Sequence, residues 1–201
     1  KEDGSVWCDL TEDGLDENPV EESYWVEAAE RADSLGVDII NTSLGYKDFP
    51  SYPRYDYTST DMDGNTAFIT RGANMAFEKG MLLVNSAGNS GNSGVNAPAD
   101  APGVFTVAAV DLNENYVSFS SKGSAIQPTH KPDVAARGGL AYVIDSSNSI
   151  VLNNGTSFSS PIMAGGLACL MQALPNLTNA QIMQLVRESS SQFATPDYEI
   201  G

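Results

Sequence analysis

Apolar residues in the first half of the chain alternate between helical spacing and short continuous runs. Over residues 21–35 they recur every three or four positions, which predicts an amphipathic helix that stops at Gly36. The apolar run at 37–41 then predicts a strand. The same pair recurs as a helix over 65–79 and a continuously apolar strand over 81–85. Two helix–glycine–strand units in succession indicate the crossover connections of a parallel sheet.

The second half of the chain predicts more strands and two further helices. A strand is expected over 104–110, and a helix that extends to about Leu174 follows Gly155-Thr156-Ser157. Thr178 and Gln181 have the spacing of a capping box that opens a last helix. Shorter β segments are expected at 117–120, 133–135, 141–144 and 150–152. The last helix is expected to bury Ile182, Leu185 and Val186. We therefore expect an α/β fold with three layers: a mostly parallel, twisted sheet and flanking helices.

The charge of the chain is strongly acidic and restricts its partners. There are 26 acidic and 10 basic residues in 201, which gives a net charge of −16. Nucleic acids and anionic membrane surfaces are bound through lysine and arginine, so both are disfavoured. Two cysteines so far apart, Cys8 and Cys169, do not form a disulfide framework, and Cys169 is expected in the core. A single histidine, His130, nearly excludes a histidine-based metal site.

Two residues beside predicted helix and strand ends are candidates for chemistry. Ser157 precedes a helix rich in small residues, and at that helix N-terminus free backbone N–H groups and the helix dipole can support an oxyanion. Asn89 follows a buried strand on a glycine turn, where its amide can donate a hydrogen bond to developing charge. The alternatives are ordinary: Thr156 or Ser157 as a helix cap, and Asn89 as a turn residue.

Four ordered segments together resemble the subtilisin-like serine proteases, the subtilases. They are Ser43-Leu44-Gly45, Ser86-Ala87-Gly88-Asn89-Ser90-Gly91, Pro132-Asp133-Val134-Ala135-Ala136 and the stretch from Gly155-Thr156-Ser157 to Gly165. The segment 105–123 resembles the part of the family that joins the second and fourth of these. The likeness covers about residues 25–190, which is most of the chain.

The resemblance implies roles for these residues. Ser157 is the implied nucleophile, and Asn89 the implied oxyanion-hole amide, aided by the backbone N–H of Ser157. An extended substrate would pair between two backbone segments that wall the pocket for the residue before the cleaved bond. The depth of that pocket depends on the residues around Asn96 and on the loop 46–63. The implied substrate-binding residues are Ser43, Leu44, Gly45, Ser86, Ala87, Gly88, Asn96 and Thr156. No cofactor takes part in this chemistry.

The chain departs from the family in lacking an aspartate motif and a His-Gly motif ahead of Ser43. Asp9 and Asp38 match neither motif, and His130 lies where the family has a surface turn. We therefore expect residues 1–201 to be the C-terminal two-thirds of a subtilase catalytic domain, with the triad aspartate and histidine upstream of Lys1. Such a fragment would be inactive alone.

Two other functions are weighed against that of a serine endopeptidase. A peptide-binding pseudoprotease would keep the substrate segments without a triad, but it would not need Ser157 and Asn89. A nucleotide-binding α/β domain is disfavoured because neither glycine turn has Gly-x-Gly-x-x-Gly or Gly-x-x-x-x-Gly-Lys-Ser/Thr spacing.

Expectations about cations and partners complete the prediction. Asp61 and Asp63 begin like a calcium loop, but the twelfth position is Gly72, so acidic capping of a helix is expected instead. A weak structural calcium site could form near Asp133 and the carbonyls of 97–102. The strand 37–41 should be an open sheet edge, which a second copy or residues 1–10 would cover. The family and the acidity imply a bacterial protein that is secreted or in the cell envelope.

Overall fold

Four parallel strands form the central sheet of the computed structural model, which describes residues 17–201. The strands are β1 (Ile39–Thr42), β2 (Leu82–Ser86), β3 (Val104–Val110) and β4 (Val134–Arg137), and they lie in that order across the sheet. All three pairings are parallel, as the repeated helix–glycine–strand units predict. The carboxyl ends of β1 and β2 therefore meet at one edge of the sheet.

Helices cover both faces of this sheet. The first two, α1 (Val20–Ser34) and α2 (Phe68–Glu78), pack on each other, and α2 contacts β2 and β3. On the other face α3 (Thr156–Ala173) contacts all four strands, and α4 (Asn179–Ser189) packs against α3. Two antiparallel strands, β5 (Ala141–Ile144) and β6 (Ile150–Asn153), form a hairpin before α3. Short 3-10 helices span Pro53–Tyr55, Ser59–Asp61 and Gly91–Ser93. Within residues 17–201, none of the helices has both the length and the hydropathy needed to span a bilayer.

The central strands are apolar because both of their faces are buried. Leu82 and Val84 pack in the layer between the sheet and α3, whereas Leu83 packs in the layer under α2. All seven residues of β3 are buried. This arrangement confirms the three-layer α/β fold predicted from continuous apolar runs.

Three local predictions were wrong. Residues 117–120 form a turn, because the Ser120 N–H donates to the Val117 carbonyl and the Ser120 hydroxyl accepts from the Ala109 N–H. Leu185 is 38% exposed, and the neighbouring Met183 is buried in its place together with Ile182. Cys169 is exposed, because α3 turns that side away from the sheet.

The sheet has an open edge at β1 within the described residues. Among them β1 pairs with β2 alone, and Val37 just before it is 36% exposed. The outer side of α3 is also uncovered: Ile162 is 56% exposed, and a Cβ added to Gly165 or Gly166 would meet no atom within 4 Å. The small residues of α3 were expected to allow close packing, but Gly165 and Gly166 do not serve it within the described residues. Residues 1–10, the proposed cover for β1, lie outside the described residues.

A buried cluster of charges joins β3 and β4 to α4. The Lys131 ammonium is fully buried, donates to the Val104 carbonyl and lies 2.9 Å from Asp133 Oδ2. Arg187 Nε donates to the other oxygen of Asp133 at 2.7 Å. Burial lowers the pKa of Lys131, and the charge and hydrogen bond of Asp133 oppose that shift. The cluster is stable only while each charge keeps its partners.

We expect Lys131→Met to destabilise the protein by about 3–5 kcal/mol, because the substitution removes one partner of a buried ion pair. The free energy of unfolding is measured by urea titration. The matched control is Lys79→Met, since Lys79 forms a longer and more exposed pair with Asp33, at 3.8 Å. That variant should stay within about 0.5 kcal/mol of the wild type. A Lys131→Met protein as stable as the Lys79→Met protein would contradict the assignment.

A buried carboxylate, Glu22, links α1 to α2. It accepts hydrogen bonds from the Ile69 N–H at 3.1 Å and the Tyr57 hydroxyl at 2.9 Å. Burial raises the pKa of Glu22 above its ordinary value of 4.5, and these two hydrogen bonds and Arg71 oppose the rise. Because the folded pKa is the higher one, the stabilisation that protonated Glu22 provides is complete below about pH 4.5 and is lost as pH rises through the folded pKa.

Glu22→Gln should remove this pH dependence. We expect wild-type stability to fall relative to the variant as the pH is raised above about 4.5, with the difference levelling off above the folded pKa. Urea titrations at several pH values measure the difference. Glu30→Gln, an exposed change in the same helix, should follow the wild type throughout. Parallel stability curves for wild type and Glu22→Gln would show that Glu22 has an ordinary pKa.

Candidate active site

The segments that follow β1 and β2 lie side by side, and they are the two segments that the family resemblance implies as the walls of a substrate cleft. Residues 43–45 continue from β1, and residues 86–88 lie at the end of β2. The side-chain amide of Asn85 ties the walls together by donating to the Leu44 carbonyl at 3.3 Å and to the Ser86 carbonyl at 2.7 Å. Ser43 and Leu44 are exposed, which leaves this wall open to an extended peptide.

The cleft is closed at one end by two loops. Tyr46 and Ala97 form an isolated antiparallel bridge, in which each backbone N–H donates to the other's carbonyl at 2.8 and 3.1 Å. Asn96 precedes this bridge and lies between the walls. A Cβ built on Gly45 would lie 2.9 Å from the Asn96 Cβ, and one built on Gly88 would lie 4.0 Å from the Asn96 Cγ. Asn96 therefore lies beside a glycine of each wall, which is the position that the expectation about pocket depth concerns.

Helix α3 starts at the mouth of this cleft and carries Ser157 in its first turn. Ser157 is half-buried, and its carbonyl accepts from the Ser43 hydroxyl at 3.2 Å. One turn further on, the Ser160 hydroxyl donates to Asn41 Oδ1 at 2.8 Å and fixes the helix on β1. The Ser157 N–H belongs to the first turn of the helix, where backbone donors have no partner within the helix.

Asn89 is held against the same helix terminus by its side-chain oxygen. Asn89 Oδ1 accepts from the Thr156 N–H at 2.9 Å and from the Thr156 hydroxyl at 3.1 Å. The hydroxyl in turn accepts from the Gly88 N–H at 3.2 Å. Because both donors engage the oxygen, the amide nitrogen of Asn89 is turned to the other side and can donate to a bound group.

Sequence reasoning missed the residues that support this arrangement. Ser121 is fully buried; its N–H donates to the Gly88 carbonyl at 2.9 Å, and its hydroxyl accepts from the Ser90 N–H at 3.0 Å. It therefore fixes the Gly88 wall from behind. The contacts of Asn85 and of the Ser43 hydroxyl were missed as well. The ordered segments name Ser43 and include Ser121, but they do not show which partners these side chains bind.

His130 lies apart from this cluster. It comes shortly before β4, so it lies towards the amino end of the sheet, whereas Ser157 lies at the carboxyl end. Its Nε2 is 2.8 Å from the Asp197 carbonyl oxygen, and its ring stacks on Tyr198 with centroids 4.7 Å apart. The ring borders a separate cavity of about 330 Å³. The structure thus brings together Ser157, Asn89 and Thr156 with both walls, but not His130.

Two acidic side chains that the sequence connects with cation binding, Asp63 and Asp133, form hydrogen bonds within the fold. Asp63 accepts from the Asn65 and Thr66 N–H groups in a turn that precedes α2. The helix begins at Phe68 with Ala67 as its N-cap and no side-chain cap, so the acidic capping predicted for this segment was wrong. Asp133 accepts from the Thr106 N–H as well as from Lys131 and Arg187, so it does not fit the weak cation site expected there. Residues 17–201 contain no group of three or more metal-ligating His, Cys, Asp or Glu side chains.

Known proteins similar to this chain include bacterial proteases. Subtilisin DY of Bacillus licheniformis is 33% identical over 177 residues, which are 86% of this chain and 57% of subtilisin DY. A thermostable alkaline protease of Halalkalibacterium halodurans is 37% identical over 123 residues, or 61% of this chain and 32% of that protein. The chain therefore spans little more than half of the first of these relatives.

Solved structures show the same fold. Sphericase superposes with a TM-score of 0.71 at 24% identity, over 92% of this chain and 62% of its own. The S41 psychrophilic protease gives a TM-score of 0.68 at 21% identity, with the same two coverages. The subtilase family, Peptidase S8, matches residues 10–201. The chain thus belongs to the subtilase family.

Proposed function

We propose that this chain supplies the nucleophile and the oxyanion hole of a serine endopeptidase. The observation that carries the proposal is the fixed orientation of Asn89, whose oxygen is bound by Thr156 so that its amide faces away as a donor. An oxyanion hole needs such a donor in place before charge develops. Ser157 follows Thr156 directly, so the nucleophile and the donor are held by the same helix terminus.

The proposed reaction is acyl transfer. The Ser157 Oγ attacks the carbonyl carbon of a peptide bond, and the electron pair of the C=O bond moves to its oxygen. The Asn89 amide and the Ser157 N–H donate hydrogen bonds to that oxyanion, and the dipole of α3 adds to their effect. The tetrahedral intermediate then expels the amine and leaves an acyl-enzyme on Ser157. Water releases the acyl group in a second addition and elimination, and the chemistry requires no cofactor.

The base for Ser157 is proposed to come from polypeptide other than this chain. His130, the one histidine of the sequence, is held by Asp197 and Tyr198 at the opposite end of the sheet. In the family a histidine, oriented by an aspartate, takes the serine proton and later gives it to the leaving amine. We propose that a segment carrying both residues completes the domain.

The open edge of β1 and the outer side of α3 support this proposal. An unpaired strand edge offers a row of backbone donors and acceptors to a further strand. Gly165 and Gly166 leave room for a helix to approach α3 closely, and exposed Ile162 lies on the same helix. A second copy of this chain, pairing through β1, is the other occupant to be tested. Its charge of −16 opposes self-association.

The proposed substrate is an extended polypeptide lying between residues 43–45 and 86–88. Backbone pairing would give affinity, and the pocket between the walls would give side-chain preference. The relatives described above are bacterial, and we propose that the complete protein is a bacterial protease that is secreted or resides in the cell envelope.

A fluorophosphonate probe tests the nucleophile and the missing base together. We expect slow or no labelling of the chain alone, because an alcohol without a base is weakly nucleophilic, and rapid labelling once it is joined to a segment bearing the aspartate and histidine. Ser157→Ala should abolish labelling, whereas Ser147→Ala in the exposed β5–β6 turn should not change it.

Light scattering on the same samples distinguishes the two occupants of β1. A monomer that labels rapidly only after joining supports completion of the domain by the added segment. If the isolated chain is a dimer and the joined domain is a monomer, a second copy occupies the β1 edge in the isolated chain. Rapid labelling of the isolated chain at Ser157 would contradict the proposal.

Thr156 tests the orientation of Asn89 in the completed domain. Thr156→Val keeps the shape of the side chain but removes the hydroxyl that binds Asn89 Oδ1, so we expect kcat to fall about tenfold with little change in KM. Asn89→Leu should cost about 10²–10³ in kcat, which is the magnitude known for the oxyanion-hole asparagine of a subtilisin, a member of this family. Thr156→Ser retains the hydroxyl and should retain activity. Equal kcat for the Val and Ser variants would show that the hydroxyl does not position Asn89.

A further inference from the structure

The Lys131 ammonium lies beside Asp133, where the sequence led us to expect a weak structural cation site. We propose that Lys131 is a built-in cation. Its ammonium takes the position and the charge that a metal ion would have, so the wild-type chain binds no metal ion there, and shortening this side chain creates a calcium site. The proposal goes beyond the peptidase function and does not depend on it.

The contacts of the ammonium are those of a hard cation. Its partners are oxygen atoms: the carbonyl of Val104, at the start of β3, and Asp133 Oδ2, which lies 2.9 Å away. Carbonyl and carboxylate oxygens are also the ligands that calcium takes from proteins. Both side chains of the ion pair are 0% exposed, so the pair is removed from bulk solvent. The nitrogen therefore occupies a closed position between oxygen atoms.

The loop carbonyls expected as further metal ligands already accept hydrogen bonds. Those of Ala97, Pro98, Ala99 and Ala101 each accept from another group of the protein. A metal ion would have to share these oxygens with their donors. It would also lie next to the ammonium of Lys131, whose like charge repels it. The residues present therefore do not fit a bound metal ion in the wild type, whereas they fit the lysine.

The charges around the ammonium balance only while it is present. Asp133 and Asp100 are both buried, and Arg187 Nε donates to the second oxygen of Asp133 at 2.7 Å. Burial lowers the pKa of Lys131, whereas the charges of Asp133 and Asp100 raise it. Without the ammonium, two buried carboxylates would face one guanidinium, and uncompensated buried charge is costly. A cation in the vacated space would restore the balance.

Two substitutions at the lysine separate its charge from its volume. Lys131→Ala removes the ammonium and most of the side chain that carries it, which leaves space beside Asp133 for an ion and its waters. Lys131→Met removes the charge but fills most of the same space. We therefore expect calcium to bind to the Lys131→Ala protein and not to the Lys131→Met protein. Lys79→Ala, at an exposed lysine, controls for the loss of a positive charge.

Urea titrations measure the effect in EDTA, in about 10 mM calcium chloride and in the same concentration of magnesium chloride, with choline chloride keeping the ionic strength equal. Magnesium screens the acidic surface as calcium does, but it gives up its waters reluctantly, so the difference between the two ions reports the site. For Lys131→Ala we expect an unfolding equilibrium constant about tenfold lower in calcium than in magnesium. The wild type, Lys131→Met and Lys79→Ala should show a difference within about twofold.

Isothermal titration calorimetry should show an additional calcium ion bound to the Lys131→Ala protein relative to the wild type. A calcium effect on Lys131→Ala no larger than that on the wild type or on Lys131→Met would overturn the proposal. Failure of Lys131→Ala to fold in all of the solutions would overturn it as well, because a free ion could then not replace the ammonium. Folding of Lys131→Ala in calcium alone would support it. None of these results depends on whether Ser157 reacts.

Discussion

The packing of one helix against the parallel sheet determines where the chemistry can occur. Helix α3 crosses all four strands, with Ala164 and Leu167 buried against them. Its first turn therefore reaches the carboxyl ends of β1 and β2, where the chain must leave the sheet and turn. Ser157 and the two cleft walls come from distant parts of the sequence, yet their proximity follows from this packing. The Ser160–Asn41 hydrogen bond fixes the helix along its own axis.

The elements of the sheet were predictable because burial on both faces leaves a strong sequence signal. The run from Met81 to Asn85 is apolar almost throughout, and β2 lies within one residue of that prediction. The sequence also marks the start of α4, where Thr178 and Gln181 form the expected capping box. The turn at 117–120 was not predictable, since its β-forming residues are overruled by a hydrogen bond from Ala109 to the Ser120 side chain. The prediction that Cys169 lies in the core was wrong for a related reason. Helical spacing shows an apolar pattern but not whether a neighbouring element covers a given residue.

The candidate site was predictable to the extent that its residues belong to ordered family segments. Ser157 and Asn89 were named for that reason, and the structure shows the contact that the segments could not show, the two hydrogen bonds from Thr156 to Asn89. Ser121 and Asn85 contact wall residues that are distant in sequence. Their functions as supports became visible only when the walls of the cleft were assembled. The segments thus identify the residues proposed to act at the reacting atoms, whereas the contacts that hold those residues in place are visible only in the structure.

The chain combines a well-supported interior with surfaces that are poorly covered. Lys131 and Arg187 both form ion pairs with Asp133, and these pairs hold β4 and α4 together. On the side of β1 and the outer face of α3, apolar residues and backbone groups are open within the described residues. Hydrophobic surface and an unpaired edge are costly in water, which supports the proposed contact with further polypeptide. Such contact would be made beside Ser157, because α3 and β1 both lead to it. The surface that the proposed completing segment would cover is therefore also the one from which its base could reach Ser157.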